Sequence, residues 1–318
     1  MMHRILLLGL LALLGAAPAS AFPDRPIRMV VPFSAGGATD VGARVLAEAM
    51  ASHLPQPIVI ENRVGGAGIV ASELVARAAA DGHTLLFNNT SHAVLRLVVP
   101  NAPIDVTTAL APVSVLSEMP MVMLVANNFP ARDVREFIAL ARANPNRYDY
   151  GSTGGGGTLQ MAALLFLHAA QLQLNEIPYR GGAPATLDLA AGRIGLVFDV
   201  ALTGVQTARS GQARAFAVTS AGRSPALPDV PSLREIGLDA EMNVWQAVFT
   251  ASATPEPVKL ALQRAMATAL AQEGVRQRML GLGVDRIVAS TPEAAAAYVA
   301  REVARWEELL RGRIAPGG

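Results

Sequence analysis

Short runs of apolar residues alternate along the chain with stretches in which apolar residues recur at helical spacing. The first half contains three such runs, at residues 27–31, 58–60 and 84–87. Each run is too short for a helix and is typical of a strand buried on both faces. Strands that alternate with helices predict a parallel, doubly wound α/β sheet. Its ligand-facing loops then follow the strands, at residues 33–39, 63–68 and 88–92.

The second half of the chain repeats this alternation. A predicted strand precedes a run of four glycines at residues 154–157, and a helix follows them. The apolar segment at 242–249 then indicates a return to the first set of strands. We therefore predict two domains joined by two crossings, with residues 22–123 and 245–318 in domain 1 and residues 124–244 in domain 2. Such a hinged arrangement places a ligand cleft between the domains.

Residues 35–37 and 152–157 form two glycine-rich turns, each of which precedes a predicted helix. Glycine lets a ligand approach the backbone closely, and the N–H groups at a helix start attract an anion. An ordinary strand-to-helix turn explains the first of them equally well. If the turns face each other across the cleft, each hydrogen bond to a carboxylate contributes about 1.5–3 kcal/mol. Three or four such bonds would support micromolar binding, about 8 kcal/mol, without an arginine.

The candidate ligand-binding residues come from these turns, from the polar segment after the third strand and from the end of a later apolar strand. They are Phe33, Ser34, Ala35, Gly36, Gly37, Thr39, Asn88, Ser91, Ser152, Gly154, Gly155, Thr158, Gln160 and Asp199. For each hydroxyl group, helix capping or turn formation is an alternative role.

Asp199 and Arg180 each allow two interpretations. A carboxylate in the cleft repels a fully anionic ligand unless it is protonated, bridged by water, or opposite a cationic or hydroxyl group. Asp199 could instead cap the helix that follows it. Arg180 could bind the anion directly, or it could be a surface or interdomain residue. The residues alone leave both choices open.

A series of short motifs is more specific. In chain order they are VVPFSAGGATD at residues 30–40, ENRVGGAG at 61–68, DGHTLL at 81–86, YGSTG at 150–154, PYRGGAPA at 178–185 and PDVPSLREIG at 228–237. The series resembles the substrate-binding proteins of tripartite tricarboxylate transporters, the Bug family of periplasmic receptors. The resemblance implies a two-domain, periplasmic-binding-protein-like α/β fold of type II, the Venus flytrap. It also implies that backbone amides and bridging waters hold one carboxylate. Gln160 stands where the family often has histidine, so the resemblance alone does not give the substrate preference.

The composition excludes some classes of protein. Of the 318 residues, 52% are apolar, and the formal net charge is +1, which provides no basic patch for nucleic acid. The chain has no cysteine, so it has neither disulfides nor a thiol that could accept a lipid. Residues 1–21 have the features of a cleaved signal peptide: a basic start, an apolar core at 5–14 and the motif Ala19-Ser20-Ala21. We therefore expect a monomer that diffuses freely in the periplasm.

The leading hypothesis is a solute-binding receptor for a small organic carboxylate, such as a di- or tricarboxylate, an aromatic carboxylate or an amino acid. Its expected partners are that ligand and the membrane permease subunits of a tripartite transporter. A sensory receptor that signals to a membrane sensor kinase would have the same site and is the alternative.

An enzyme is disfavoured on the residues alone. Neither glycine-rich turn matches G-x-G-x-x-G followed by an acidic residue at the end of the next strand. The chain also has no cysteine and no serine within G-x-S-x-G. His83 and His92 each lack a second ligand at metal-binding spacing, so we expect neither a metal nor a cofactor.

Overall fold

The computed structural model describes residues 22–310, and the predicted signal peptide lies outside them. The strands are β1 Ile27–Val31, β2 Ile58–Asn62, β3 Thr84–Asn89, β4 Leu110–Val125, β5 Asp149–Ser152, β6 Asn175–Pro178, β7 Leu196–Val200, β8 Arg214–Val218, β9 Asn243–Ala251 and β10 Arg286–Ile287. The helices are α1 Ala38–Met50, α2 Ile69–Ala76, α3 Leu95–Val98, α4 Val106–Ala109, α5 Val134–Ala143, α6 Thr158–Ala170, α7 Gly182–Ala190, α8 Ala201–Arg209, α9 Glu256–Ala271, α10 Glu273–Gly281 and α11 Pro292–Leu310. Two 3-10 turns, Gly66–Gly68 and Thr90–Val94, follow β2 and β3.

Hydrogen bonds connect the strands in the order β2-β1-β3-β9-β4-β7-β5-β6, with β8 and β10 also paired to β4. Strand β1 is parallel to β2 and β3, and β5 is parallel to β6 and β7. In both groups a helix follows each parallel strand, which confirms the predicted α/β class. The central strands β4 and β9 are antiparallel to their neighbours, a feature that the strand–helix alternation did not predict.

Strand β4 is shared by the two halves of the sheet. Its first part, Leu110 to Pro120, pairs with β9, and its last part, Met121 to Val125, pairs with β7 and β8. The hydrogen-bonded path is therefore continuous from β1 to β6. The change of partners falls after Pro120, three residues before the predicted limit of domain 1. The predicted domain limits themselves stay a prediction.

Apolar side chains fill the space between the sheet and its helices. Residues Met121 to Val125 of β4 are fully buried, as expected for a strand covered on both faces. Phe129, Phe137, Phe166 and Phe198 form a chain of ring contacts beside the second half of the sheet. Burying a side chain of this size contributes about 1.5–3 kcal/mol. No helix between residues 22 and 310 is long and apolar enough to cross a bilayer.

Candidate ligand-binding cleft

A small cavity lies where loops from the two halves of the sheet meet. Its walls are Phe33, Gly37, Ala38, Thr39, Asn89, Thr153, Thr158, Leu159, Gly182, Asp199 and Val200. These residues follow strands β1, β3, β5, β6 and β7 or end them, so the cavity has the position expected for a ligand in an α/β sheet. The volume is only about 20 Å³, which is room for about one water molecule.

Three of the helices that begin at this cavity have a glycine N-cap and therefore no side-chain cap. Helices α1, α6 and α7 have Gly37, Gly157 and Gly181 as N-caps, and glycine has no side chain to accept their first N–H groups. The first N–H groups of a helix have no acceptor within the helix. The positive ends of three helix dipoles therefore meet at one place, which favours an anionic group there.

The first glycine turn presents fewer donors than its sequence indicates. Gly37 and Thr39 line the cavity, whereas Ala35 and Gly36 are exposed. The Gly36 N–H donates to the Asp40 carboxylate at 2.9 Å. Burial raises the pKa of Asp40, but hydrogen bonds from Arg44, Gly36 and Asn62 outweigh it and hold the pKa below its usual range. The Asp40 carboxylate thus holds the turn in place and takes up one of its N–H groups.

The second glycine turn is held by its own hydrogen bonds. Gly154 donates to Ser152 Oγ at 2.9 Å, Gly156 to Gln160 Oε1 at 2.7 Å, and Gly157 to the Gly154 carbonyl at 2.8 Å. The φ angles of Gly154, Gly155 and Gly156 are 59°, 48° and 73°, which glycine adopts readily. Three of the four N–H groups are therefore unavailable to a ligand.

Glu176 on β6 supports this turn through hydrogen bonds to two of its neighbouring side chains. Its carboxylate accepts a hydrogen bond from Ser152 Oγ, and Gln160 Nε2 donates to both of its oxygens at 2.8 and 3.1 Å. Ser152 and Gln160 are the same two side chains that accept the glycine N–H groups. They position the loop rather than line the cavity.

The two glycine turns both reach the cavity, through Gly37 and Thr153, and each also packs on a different segment. Their opposition across an open cleft stays a prediction. A Cβ on Gly37 would lie 3.8 Å from the backbone nitrogen of Gly182, so the first turn faces the start of α7. A Cβ on Gly155 would lie 2.9 Å from the Ala67 Cβ, so the second turn packs on the loop after β2. Close packing accounts for glycine at Gly155, whereas a Cβ on Gly37 would be in ordinary contact with its neighbours. Arg180 is exposed beside the first contact and does not line the cavity.

The polar segment after β3 contributes one side chain to the cavity. Asn89 lines it and donates through Nδ2 to Thr39 Oγ1 at 2.8 Å. Asn88 and Ser91 are buried behind it, where Asn88 Oδ1 accepts the Asn89 N–H at 2.8 Å. His92 stacks on Phe249 at 4.2 Å, and complete burial lowers its pKa to about 4. The described residues contain no cluster of His, Asp and Glu that could hold a metal ion.

Asp199 lines the cavity but does not cap α8, whose N-cap is Val200 without a side-chain cap. Its Oδ1 accepts the Val200 N–H at 2.9 Å and its Oδ2 accepts Thr203 Oγ1 at 2.7 Å, so it binds the first turn of α8. It also lines the cavity and is only 2% exposed. Burial raises its pKa to about 6, although these two hydrogen bonds lower it in part. Neither lysine nor arginine is among the lining residues.

The cavity thus contains some of the predicted residues and several that were missed. Five of the predicted residues line it, namely Phe33, Gly37, Thr39, Thr158 and Asp199. Seven others lie around it without lining it, namely Ser34, Asn88, Ser91, Ser152, Gly154, Gly155 and Gln160. The missed residues are Ala38, Asn89, Thr153, Leu159, Gly182 and Val200. The glycine pair Gly181-Gly182 at the start of α7 was the feature of the sequence that could have identified Gly182.

Comparison with known proteins agrees with this architecture. Residues 42–314 match the model of the tripartite tricarboxylate transporter family receptor. The chain is 36% identical over 292 residues to the UPF0065 protein in the tcbD-tcbE intergenic region of Pseudomonas sp. strain P51, covering 91% of this chain and 87% of that protein. The solved structure of the periplasmic binding protein BugD is similar, with a TM-score of 0.88, 32% identity, and coverage of 92% and 98% of the two chains. MatC from Rhodopseudomonas palustris with bound malate gives a TM-score of 0.85, 32% identity, and coverage of 91% and 100%.

The fold and the cleft define a two-domain solute-binding protein. The chain belongs to the tripartite tricarboxylate transporter receptor family, which includes the Bug proteins. It is therefore a receptor and not an enzyme, as its sequence indicated.

Proposed function

We propose that this protein is a periplasmic receptor that captures a small organic carboxylate for the membrane permease of a tripartite transporter. The observation that carries the proposal is the meeting of three uncapped helix N-termini, those of α1, α6 and α7, at one cavity without a lysine or arginine. Hydrogen bonds from neutral donors to an ionised carboxylate contribute about 1.5–3 kcal/mol each. Three or four of them are enough for micromolar affinity.

The relatives support the same ligand class. MatC holds malate, a dicarboxylate, in a structure that superposes on nearly the whole described chain. We infer a carboxylate for this protein also, and the class extends to di- and tricarboxylates, aromatic carboxylates and amino acids.

Binding and domain closure form one event in this proposal. Ligand pockets usually measure about 300–1,000 Å³, whereas this cavity measures about 20 Å³, so the cleft must widen to admit a ligand. Residues 22–123 with 245–318 would move as one body and residues 124–244 as the other. The strand β4, which pairs with both halves, would carry one of the two crossings.

The proposed partner and location follow from the same assignment. An exported, unanchored monomer would deliver its ligand to permease subunits in the membrane. A receptor that serves a membrane sensor would present the same cleft. A deletion of the permease genes separates the two: a transport receptor loses uptake of its ligand, whereas a receptor that serves a sensor keeps the transcriptional response to that ligand.

Titration calorimetry on the refolded mature protein, freed of bound ligand, tests the ligand class. The panel should include dicarboxylates, tricarboxylates, aromatic carboxylates and amino acids, with the corresponding amides as controls. We expect at least one carboxylate to bind with micromolar affinity or better and its amide to bind far more weakly. Binding of neutral amides as tightly as the acids would contradict the proposal, and so would no binding across the panel.

A further inference from the structure

Asp199 is a buried carboxylate without a cationic partner. Both of its hydrogen bonds come from neutral donors of α8, the Val200 N–H and the Thr203 hydroxyl. A carboxylate oxygen can accept two hydrogen bonds, so each oxygen keeps one acceptor site. Buried aspartates are almost always paired. A carboxylate with no cation beside it therefore indicates a donor that arrives with the ligand.

The surrounding elements do not supply this donor. Four of the charged groups on these elements are bonded elsewhere: Asp40 to Arg44 on α1, Asp188 to Tyr179 and Arg193 beside α7, Arg209 to the Gly281 carbonyl at the end of α8, and Glu118 on β4 to Arg286. Arg180, which precedes α7, is exposed and does not line the cavity. None of these groups contributes to the pKa of Asp199, which depends on burial, Thr203 and Val200.

Asp199 lies next to the place where we put the ligand carboxylate. A Cβ on Gly182 would lie 3.1 Å from Asp199 Oδ1, so the carboxylate oxygen is next to the start of α7. Thr153 also lines the cavity, and its hydroxyl is buried without a hydrogen-bond partner among the described residues. An anion site and an acceptor site thus lie side by side.

We propose that the ligand is a 2-amino or 2-hydroxy acid, whose N–H or O–H group donates to Asp199 while its carboxylate lies at the helix N-termini. Because Asp199 lies next to the start of α7, a donor on the carbon beside the ligand carboxylate is the one placed to reach it. This inference rests on the proposed function. A plain carboxylate would place a methylene or a second anion against Asp199, and neither can donate to it.

Calorimetry with matched ligand series tests the inference. The series are succinate, malate and aspartate; glutarate, 2-hydroxyglutarate and glutamate; and 3-phenylpropionate, 3-phenyllactate and phenylalanine. Titration at pH 8 keeps Asp199 ionised. In the series that binds, we expect the amino or hydroxy acid to bind at least ten-fold more tightly than the plain acid. Equal or tighter binding of the plain acid overturns the inference and leaves the proposed function intact, whereas no binding in any series overturns both.

The variant Asp199→Asn tests whether Asp199 causes the preference for the amino or hydroxy acid over the plain acid. The variant keeps an oxygen for the Val200 N–H. We expect it to lose at least ten-fold in affinity for the preferred ligand and to bind the plain acid no more weakly. The control Asp188→Asn removes an equal charge from a half-buried site that does not line the cavity and should change neither affinity. A uniform loss across the series overturns the assignment. If Asp199→Asn does not fold, the wild-type preference alone decides the ligand class.

Discussion

The Asp40 carboxylate accepts the Gly36 N–H at 2.9 Å, so the acidic residue of α1 takes a donor that the glycine turn would otherwise offer to a ligand. Asp40 is in turn bound by Arg44 at 2.8 Å and by Asn62 at 2.9 Å. The turn is therefore rigid, and its remaining capacity for an anion lies at Gly37 and the first turn of α1. Gly37 is therefore the better position for a first test, because the Gly36 N–H is already bonded to Asp40.

Gly37→Val should abolish tight ligand binding while the protein stays folded. A Cβ at this position would be in ordinary contact, 3.4 Å from the Ser34 carbonyl oxygen and 3.8 Å from the Gly182 nitrogen. The two methyl groups of valine would then fill the space between α1 and α7 that the ligand carboxylate needs. We expect at least a hundred-fold loss of affinity by calorimetry, about 2.7 kcal/mol.

Gly222→Val is the matched control, because nothing lies within 4 Å of a Cβ on Gly222. It should bind like the wild type. Unchanged affinity in folded Gly37→Val would mean that the anion binds elsewhere.

Gln160→Leu should weaken ligand binding through the second glycine turn. The substitution removes the acceptor of the Gly156 N–H and two hydrogen bonds to Glu176. Leaving such groups unpaired costs about 1–3 kcal/mol, and part of that cost should appear as a lower affinity. Gln277→Leu breaks a comparable bond to Glu273 on the exposed face of α10 and should not affect binding. Equal affinities of the two variants by calorimetry would show that the turn needs no support from Gln160.

Asp199→Asn should make the protein more stable at pH 8. Burial raises the pKa of Asp199 from 3.8 to about 6, so the folded state binds its proton more tightly than the unfolded state. The contribution of this carboxyl to stability therefore falls as the pH rises from about 4 to 6. A shift of this size corresponds to at most about 3 kcal/mol. Urea unfolding should show a gain for Asp199→Asn at pH 8 and almost none at pH 4. A loss of stability at pH 8 would indicate a purely structural carboxylate.

His92 should make the protein sensitive to acid. Burial lowers the pKa of its imidazole from 6.5 to about 4, so the unfolded state binds the proton more readily. Stability contributed by the neutral ring is complete above about pH 6.5 and is lost as the pH falls toward 4, by about 3 kcal/mol. His92→Phe keeps an aromatic ring against Phe249. Urea unfolding of this variant should be less pH-dependent than that of the wild type in this window. Parallel pH profiles would contradict the assignment.

The sequence was sufficient for the parallel parts of the fold. Strands β1, β2 and β3 are short and largely apolar, and a glycine-rich turn follows β1 and β2, so their pattern is clear. The first half of β4 was missed, because residues 110–120 contain Pro112, Pro120 and three polar side chains. The structure accommodates this segment with shifts in register opposite β9, one of them directly after Pro112. Irregular pairing of this kind tolerates a residue without an N–H group.

The site was harder to predict, because hydrogen bonds over long sequence separations determine it. Nothing local indicates that Asn89 donates to Thr39 or that Glu176 accepts hydrogen bonds from Gln160. Two neighbouring asparagines are equivalent in the sequence, yet only Asn89 reaches the cavity. The start of α7 was recognised only as part of a family motif, although its glycine pair is the same signal that identified α1.

The most direct test is a crystal structure with the carboxylate that binds most tightly in calorimetry. We expect a ligand carboxylate within hydrogen-bond distance of backbone N–H groups, directly or through one water, at the starts of α1, α6 and α7. We also expect no lysine or arginine in contact with it. A ligand carboxylate paired with Arg180, or bound outside the cleft lined by Gly37, Thr158 and Gly182, would contradict the account.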